Sequence, residues 1–278
     1  MKSSRFHLSD VWLHAIVFIG FVASIYPVYL MFVSGTQNNQ QIFGMTPDLL
    51  PGHSFLVNYK DLMSNAGFNI YQSVGNSVII SAVSTILAVF LATLAGFAFA
   101  KYRFAVSKGL FQVILVAIMI PPQVTLIPLF VMISKIGLAN SYWAIILPAT
   151  VSIFGVFLMR QSFLSFPDEL LDAGRIDGLT DFGLFLRIVL PLSKPALSSL
   201  AILTFLGSWT NLLWPLVVLN DSSSYTIPVA LSTLTNTVTQ PNYGMMMLAA
   251  SIGTIPMLIL FLLLRRNFIS GIMGGYNR

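Results

Sequence analysis

Cysteine is absent from the 278 residues, and charge is scarce: Asp, Glu, Lys and Arg together make up 8%. Without cysteine there is no disulfide, no thiolate metal site and no thiol nucleophile. A soluble globular chain carries about 25% charged residues, so this chain has too few to cover a water-facing surface. The deficit argues against a soluble enzyme, a disordered chain and a nucleic-acid binder, despite a formal net charge of +5. What is abundant is apolar: 56% hydrophobic residues and a mean hydropathy of +0.84. The composition fits an all-α polytopic membrane protein.

A helix needs about 20 mostly apolar residues to cross a bilayer. Six stretches qualify, 11–33, 73–100, 109–133, 139–159, 196–219 and 244–264, and none contains Asp, Glu, Lys or Arg. One Lys or Asp at mid-bilayer costs roughly 2.5–3.5 kcal/mol, against about 0.3–0.6 gained per Leu. The first stretch is longer than the apolar region of a secretory signal, about 7–15 residues, and no A-x-A-like site follows it. It reads as a retained span. The expected order is a terminal segment 1–10, the first span, an external loop 34–72, a core 73–264 and a tail 265–278. Within the core, 160–195 is a cytoplasmic loop and 220–243 an external one. Orientation follows from loop Lys and Arg. With both termini on one side, that side carries Lys2, Arg5, Lys101, Arg103, Lys108, Arg160, Arg175, Arg187, Lys194, Arg265, Arg266 and Arg278, leaving Lys60 and Lys135 for the other. The basic side is read as cytoplasmic, and these residues as orientation determinants.

The spans lack what an ion-coupled carrier needs, an intramembrane carboxylate or histidine relay. They offer only His14, near the end of the first. No H-E-x-x-H, no filter of the T-V-G-Y-G kind and no duplication of one half in the other is found. No G-x-x-x-x-G-K-[ST] loop is present. Nucleotide is therefore not expected on this chain, and energy for uphill transport must come from another subunit. The spans do carry Asn76, Thr85, Gln123, Thr125, Thr210, Asn211, Ser251 and Thr254, with Pro121, Pro122, Pro128, Pro148, Pro215 and Pro256. Such residues bond helix to helix or line a wet cavity.

The loop 160–195 holds five of the nine acids: Asp168, Glu169, Asp172, Asp177 and Asp181. Two short helices are expected. Ser165 can cap the first, with Pro167 and the acids Asp168 and Glu169 at its start, and Gly178 suits the left-handed residue that ends it. Thr180 can cap the second, which should stop before Pro191. Phe182, Phe185, Leu186 and Val189 fall at i, i+3, i+4 and i+7 and would form one apolar stripe. The stripe fits two readings equally: packing under the loop's own bundle, or docking to a partner protein.

The spacing Asp172-Ala173-Gly174, three residues, Gly178, nine residues, Ile188, one residue, Leu190-Pro191 resembles the E-A-A-x3-G-x9-I-x-L-P signature of ATP-binding-cassette importer permeases. Arg175-Ile176-Asp177-Gly178 and Leu190-Pro191-Leu192-Ser193-Lys194-Pro195 are similar to its carbohydrate-uptake version. Two positions depart: Asp172 stands where the family usually has Glu, and Gly174 where it has the second Ala. Asn58-Tyr59-Lys60, Asn76-Ser77, Pro121-Pro122, Trp209-Thr210-Asn211, Trp214-Pro215 and the glycine-rich tail Phe268 to Gly275 also look like family landmarks, the tail like that of the smaller maltose-type subunit.

The resemblance implies six transmembrane helices, a type I importer core of five plus one N-terminal helix, with both ends cytoplasmic. It implies a non-catalytic multi-pass subunit of a bacterial inner-membrane importer for an oligo- or disaccharide. Its partners would be a second, homologous permease, two ATPase subunits that bind the ATP and magnesium, an external solute-binding protein and membrane lipid. The chain itself would hold no cofactor, metal or nucleic acid. The coupling contact would be Asp172, Ala173, Gly174, Arg175, Asp177, Gly178, Ile188, Leu190 and Pro191, with Leu171, Ile176 and Phe182 filling an apolar socket on the ATPase. Sugars are held by hydrogen bonds and a stacked aromatic face, so Asn76, Gln123, Trp209, Asn211 and Trp214 are candidates for the solute pathway. An importer for glycerol-3-phosphate or a polyol, and a stand-alone secondary carrier, are the alternatives.

Overall fold

The computed structural model describes residues 8–46, 48–235 and 241–273. Lys2, Arg5, Gly274, Gly275 and Arg278 lie outside the described residues. Among the described residues the regular elements are helices, the longer ones in the order α1 Leu8–Ser34, α2 Phe55–Met63, α3 Ile70–Lys101, α4 Ser107–Ile118, α5 Leu126–Lys135, α6 Tyr142–Thr150, α7 Ile153–Leu164, α8 Asp168–Ile176, α9 Asp181–Leu192, α10 Lys194–Trp209, α11 Leu213–Val218, α12 Ile227–Leu234 and α13 Tyr243–Met273. Four runs are long and apolar enough to cross a membrane, and up to six if two bent pairs each count as one.

Two compact units form. The first takes the described residues up to Ala66 together with Leu231–Ile255. Its helix α1 is apolar and exposed along most of its length. The segment after α1 is tied down by side-chain amides. Asn58 of α2, 2% exposed, donates from Nδ2 to the carbonyls of Gly35 (3.0 Å) and Gln37 (2.9 Å) and accepts at Oδ1 from Asn242 Nδ2 (3.3 Å). Gln37 in turn donates to the carbonyls of Asp48 and Leu50. Asn39 donates to Pro241 and accepts from the Tyr243 N–H. Glycine is required at 244, where a Cβ would collide with the Gln37 carbonyl oxygen and Asn58 Nδ2. The landmark Asn58 is thus a structural hub.

The second unit, Gly67 to Ala230 and the described residues from Pro256, is organised on α3. Small residues Ser73, Ser77, Ser84, Ala88, Ala92 and Gly96 recur on its buried side. At Gly96 a Cβ would lie 2.7 Å from Met159 Cβ and 2.9 Å from the Arg160 nitrogen, so α3 and α7 cross at backbone distance. Close approach through small residues is how apolar helices gain contact when burial from water contributes nothing.

Prolines divide two of the expected spans, and a third is interrupted just after one. The stretch 109–133 becomes α4 and the turn-plus-helix Pro122–Lys135, bent by 98°. Pro122 forces Pro121 into extended backbone (φ −60°, ψ 130°), as the residue before a proline prefers. The stretch 196–219 becomes α10 and α11, because Pro215 is tolerated only in the first turn of a new helix. The stretch 139–159 breaks at Val151 and restarts when Ser152 accepts the Gly155 N–H (3.0 Å). Pro148 cannot donate to the Ala144 carbonyl. That orphan accepts the Trp214 indole N–H at 2.9 Å instead.

Candidate functional site

The signature loop forms a helical hairpin of α8 and α9. Expectation and structure agree at the turn. Gly178 has φ +82°, the Leu179 N–H reaches the Gly174 carbonyl and the Gly178 N–H the Arg175 carbonyl, both at 3.0 Å. This pattern closes a helix end on a left-handed glycine. Thr180 caps α9 by accepting from the Gly183 N–H (3.2 Å). Ser165 does not cap α8: it closes α7, and its hydroxyl donates to the Ser162 carbonyl. Nor does α9 stop at Pro191. It runs to Leu192 through a π-turn at Phe185–Val189, whose wider i→i+5 ring relieves the clash a proline makes with the carbonyl four residues back.

The packing face is accordingly shifted. Leu184, Phe185 and Val189 are buried, whereas Phe182 and Leu186 of the expected stripe are exposed. Leu171 is buried too, in a core with Ala92, Phe97, Met159, Phe163, Phe185, Val189 and Leu200. It therefore fills this chain's own core and no partner's socket. A Cβ on Gly174 would stand 2.5 Å from Leu184 Cδ2 and 2.7 Å from Ile188 Cδ1. The departure from the signature alanine has its reason there: α9 packs down onto that glycine. The first reading, packing under the loop's own bundle, holds for the inner face. The face away from the core presents Ile176 (86% exposed), Phe182 and Asp172.

Charges link the hairpin internally and to α3. Arg175 Nη1 donates to Asp172 Oδ1 at 2.9 Å, and Nη2 lies 4.0 Å from Asp181. Lys101, its side chain 8% exposed, donates to Asp168 Oδ1 (2.6 Å) and to the Phe166 carbonyl (2.7 Å). The bond from Lys101, with its positive charge, holds the Asp168 carboxyl below the usual carboxylate range. Burial pushes the Tyr102 phenol up; Asp181 adds to this and Arg175 opposes it. Lys101 and Tyr102 were not among the site candidates. A basic residue closing a 32-residue apolar helix reads as an orientation charge until its partner 67 positions away is known.

Of the solute-pathway candidates, Gln123, Asn211 and Trp214 meet in one open cleft of about 470 Å³, with Thr125, Thr204 and Ser208. The turn Pro122–Thr125 with α5, the Pro148 region of α6, and α10–α11 line it, so the cleft sits at the proline-marked breaks. The Ser208 hydroxyl is buried and unpartnered. Trp209 lies elsewhere, buried and stacked on Phe205 (5.7 Å between rings). Asn76 is also elsewhere. It donates to the carbonyls of Ser223 (2.8 Å) and Tyr225 (3.0 Å) and accepts from the Tyr142 hydroxyl (2.6 Å). Its amide is engaged in holding the 222–226 turn. Thr204 and Ser208 are the lining groups that residue type alone did not single out.

Comparison with known proteins places these features in context. Residues 85–273 match the family described as binding-protein-dependent transport system inner membrane component. The chain is 37% identical over 268 residues to the arabinooligosaccharides transport system permease protein AraQ of Halalkalibacterium halodurans, covering 95% of each chain. It is 30% identical over 275 residues to the lactose transport system permease protein LacG of Rhizobium radiobacter, covering 99% of each. In fold it is similar to a chain in the crystal structure of a bacterial ABC transporter involved in the import of the acidic polysaccharide alginate, with a TM-score of 0.80, 19% identity, and 96% and 99% of the two chains covered.

Proposed function

The chain belongs to the family of binding-protein-dependent transport system inner membrane components, and from that membership we propose that it is one of two permease subunits of a bacterial importer for an oligo- or disaccharide. The names of its relatives, an arabinooligosaccharide and a lactose permease, support the carbohydrate. In this reading the chain crosses the inner membrane six times, with α4 and Pro122–Lys135 forming one crossing and α10 with α11 another, while α9 stays in the cytoplasmic hairpin; Lys/Arg counting puts both termini in the cytoplasm. A second, homologous permease completes the pathway. Two ATPase subunits bind the ATP and magnesium, and an external binding protein delivers the solute.

The observation that carries the reading is the two-faced hairpin α8–α9. Its inner face is fused to the bundle through Leu171, Phe185 and Val189. Its outer face offers Asp172, Ile176 and Phe182, an acid beside two apolar groups. A charge-assisted hydrogen bond is roughly twice as strong as a neutral one, so Asp172 and Asp177 are suited to basic groups of an ATPase while the apolar pair fills a socket. Arg175 splays between Asp172 and Asp181 and holds the two helices in register. Gly174, Gly178, Ile188, Leu190 and Pro191 shape the hairpin, and Ala173 lies between the contacts. Because the hairpin cannot slide on the bundle, displacement by a closing ATPase dimer tilts α3, α7 and α10 with it and switches access. Gln123, Asn211 and Ser208 then supply polar contacts along the pathway, and Trp214 an aromatic face.

Because the chain has no native cysteine, the reading is directly testable. Ile176→Cys should form a disulfide with cysteines placed in a surface cleft of the co-expressed ATPase, while Met45→Cys, on the exposed outer segment, should not. Labelling of Ile176→Cys only from outside intact cells would contradict the reading.

A further inference from the structure

Where the end of α3, the start of α4 and the end of α7 meet, a second cavity of about 240 Å³ is lined by Phe99, Ser107, Lys108, Phe111, Gln112 and Arg160. The Arg160 guanidinium lies over the Phe111 ring at 3.9 Å, with Nε donating to the Phe99 carbonyl at 3.3 Å. These contacts hold the head of the side chain in place at the cavity wall and use none of its terminal nitrogens. Lys108 is exposed at the rim. Neither cation has a carboxylate partner among the described residues. No side chain caps the first turn of α4 at Val106, so a helix start adds its partial positive charge to the same place. Outward from the rim, α4 exposes Leu110, Val113 and Val116, a surface suited to acyl chains.

We infer that this cavity is a binding site for the phosphate headgroup of an anionic phospholipid, with Arg160 and Lys108 as its cations, Ser107 and Gln112 as further donors, and the acyl chains lying along α4. Basic pockets between membrane helices on the cytoplasmic side are matched to such headgroups. A free phosphate would satisfy the cations equally but would leave the adjoining apolar surface uncovered, so the lipid is the better fit. The inference rests on the proposed orientation, which places this cavity at the inner leaflet. A lipid wedged between α3, α4 and α7 would stiffen the helices that the hairpin must move.

The test uses the full chain assembled with its partner permease and ATPase, purified in mild detergent. Retained lipid is counted by native mass spectrometry after adding phosphatidylglycerol or phosphatidylcholine of the same acyl composition. The wild type should retain phosphatidylglycerol preferentially. Lys108→Gln and Arg160→Gln should each lower that retention roughly fivefold, the factor expected for one basic residue at a membrane surface, and millimolar inorganic phosphate should not displace it. Lys108 is exposed, so its variant folds whatever becomes of Arg160. Equal retention of the two lipids, or retention unchanged in both variants, overturns the inference. Displacement by inorganic phosphate would make soluble phosphate the ligand and overturn the lipid. A carboxylate of the partner permease as occupant would show as weakened assembly with unaltered lipid retention, which also overturns it. ATP-driven uptake without lipid preference defeats only this site. Labelling of Ala105→Cys from the outside alone defeats the orientation and leaves the lipid count standing.

Discussion

Two connecting segments of this chain are held by opposite means. The segment that follows α1, residues 35–58, is anchored by amides: Asn58, Gln37 and Asn39 satisfy one backbone carbonyl after another, and Gly244 admits the chain at a distance no side chain allows. The hairpin α8–α9 is anchored by burial, through Leu171, Leu184, Phe185 and Val189, with its acids left outside. A hydrogen-bonded anchor is directional and tolerates little displacement. An apolar anchor tolerates small adjustments and leaves polar groups free for a partner. Under the proposed function, the difference suits a segment that holds still and one that a partner grips and moves.

The comparison can be broken at its glycines and its core. Gly244→Ala drives a methyl into backbone and amide and should destabilise the protein by about 3 kcal/mol or more, at the upper end of overpacking costs; thermal unfolding in detergent followed by tryptophan fluorescence reads this. Leu171→Ala empties a closed core and should cost about 2–4 kcal/mol, with ATPase docking lost in a pull-down even at temperatures where the protein remains folded. Gly174→Ala should cost below about 1 kcal/mol, because the atoms it meets are the ends of Leu184 and Ile188 and the new residue favours the helix. A cost as large as that of Gly244→Ala would erase the distinction between the two segments. The smallest effect is on pH. Asp168 is held below its ordinary range, so its bond to Lys101 is intact above about pH 4, the unfolded carboxylate value, and is lost as pH falls through the lower folded value. Stability between pH 5 and 8 should be the same for wild type and Asp168→Asn apart from a constant offset, and the two curves should converge only in strong acid.

Much of this was legible in advance, and what was not has identifiable physical reasons. Gly178 and Thr180 act locally, through φ and a cap, and sequence spacing was enough to place them. The packing face of α9 was misplaced by one position at each end: Leu184 joins Phe185 and Val189 in the core while Phe182 and Leu186 stay outside, and nothing in the periodicity of Phe182, Phe185, Leu186 and Val189 announces it. The prolines marked where spans would weaken. How far they break depends on distant partners: the Ala144 carbonyl is rescued by Trp214, 70 residues on. Asn76 and Trp214 look polar and aromatic enough for a sugar, yet both serve such rescues, and Trp214 alone also borders the cleft. The Gly174 departure, a plain loss of helix propensity on paper, also gives room to the ends of Leu184 and Ile188, which lie close above it.

The central claim is that this chain is a gate worked through α8–α9 by a separate ATPase. It is tested most directly by solute uptake into vesicles carrying the chain with its partner permease, binding protein and ATPase, wild type against Asp172→Lys. The account predicts uptake that requires ATP and the ATPase, falling at least tenfold in Asp172→Lys while membrane insertion is unchanged. Equal uptake by the two proteins, or uptake by the chain with no ATPase present, would contradict it.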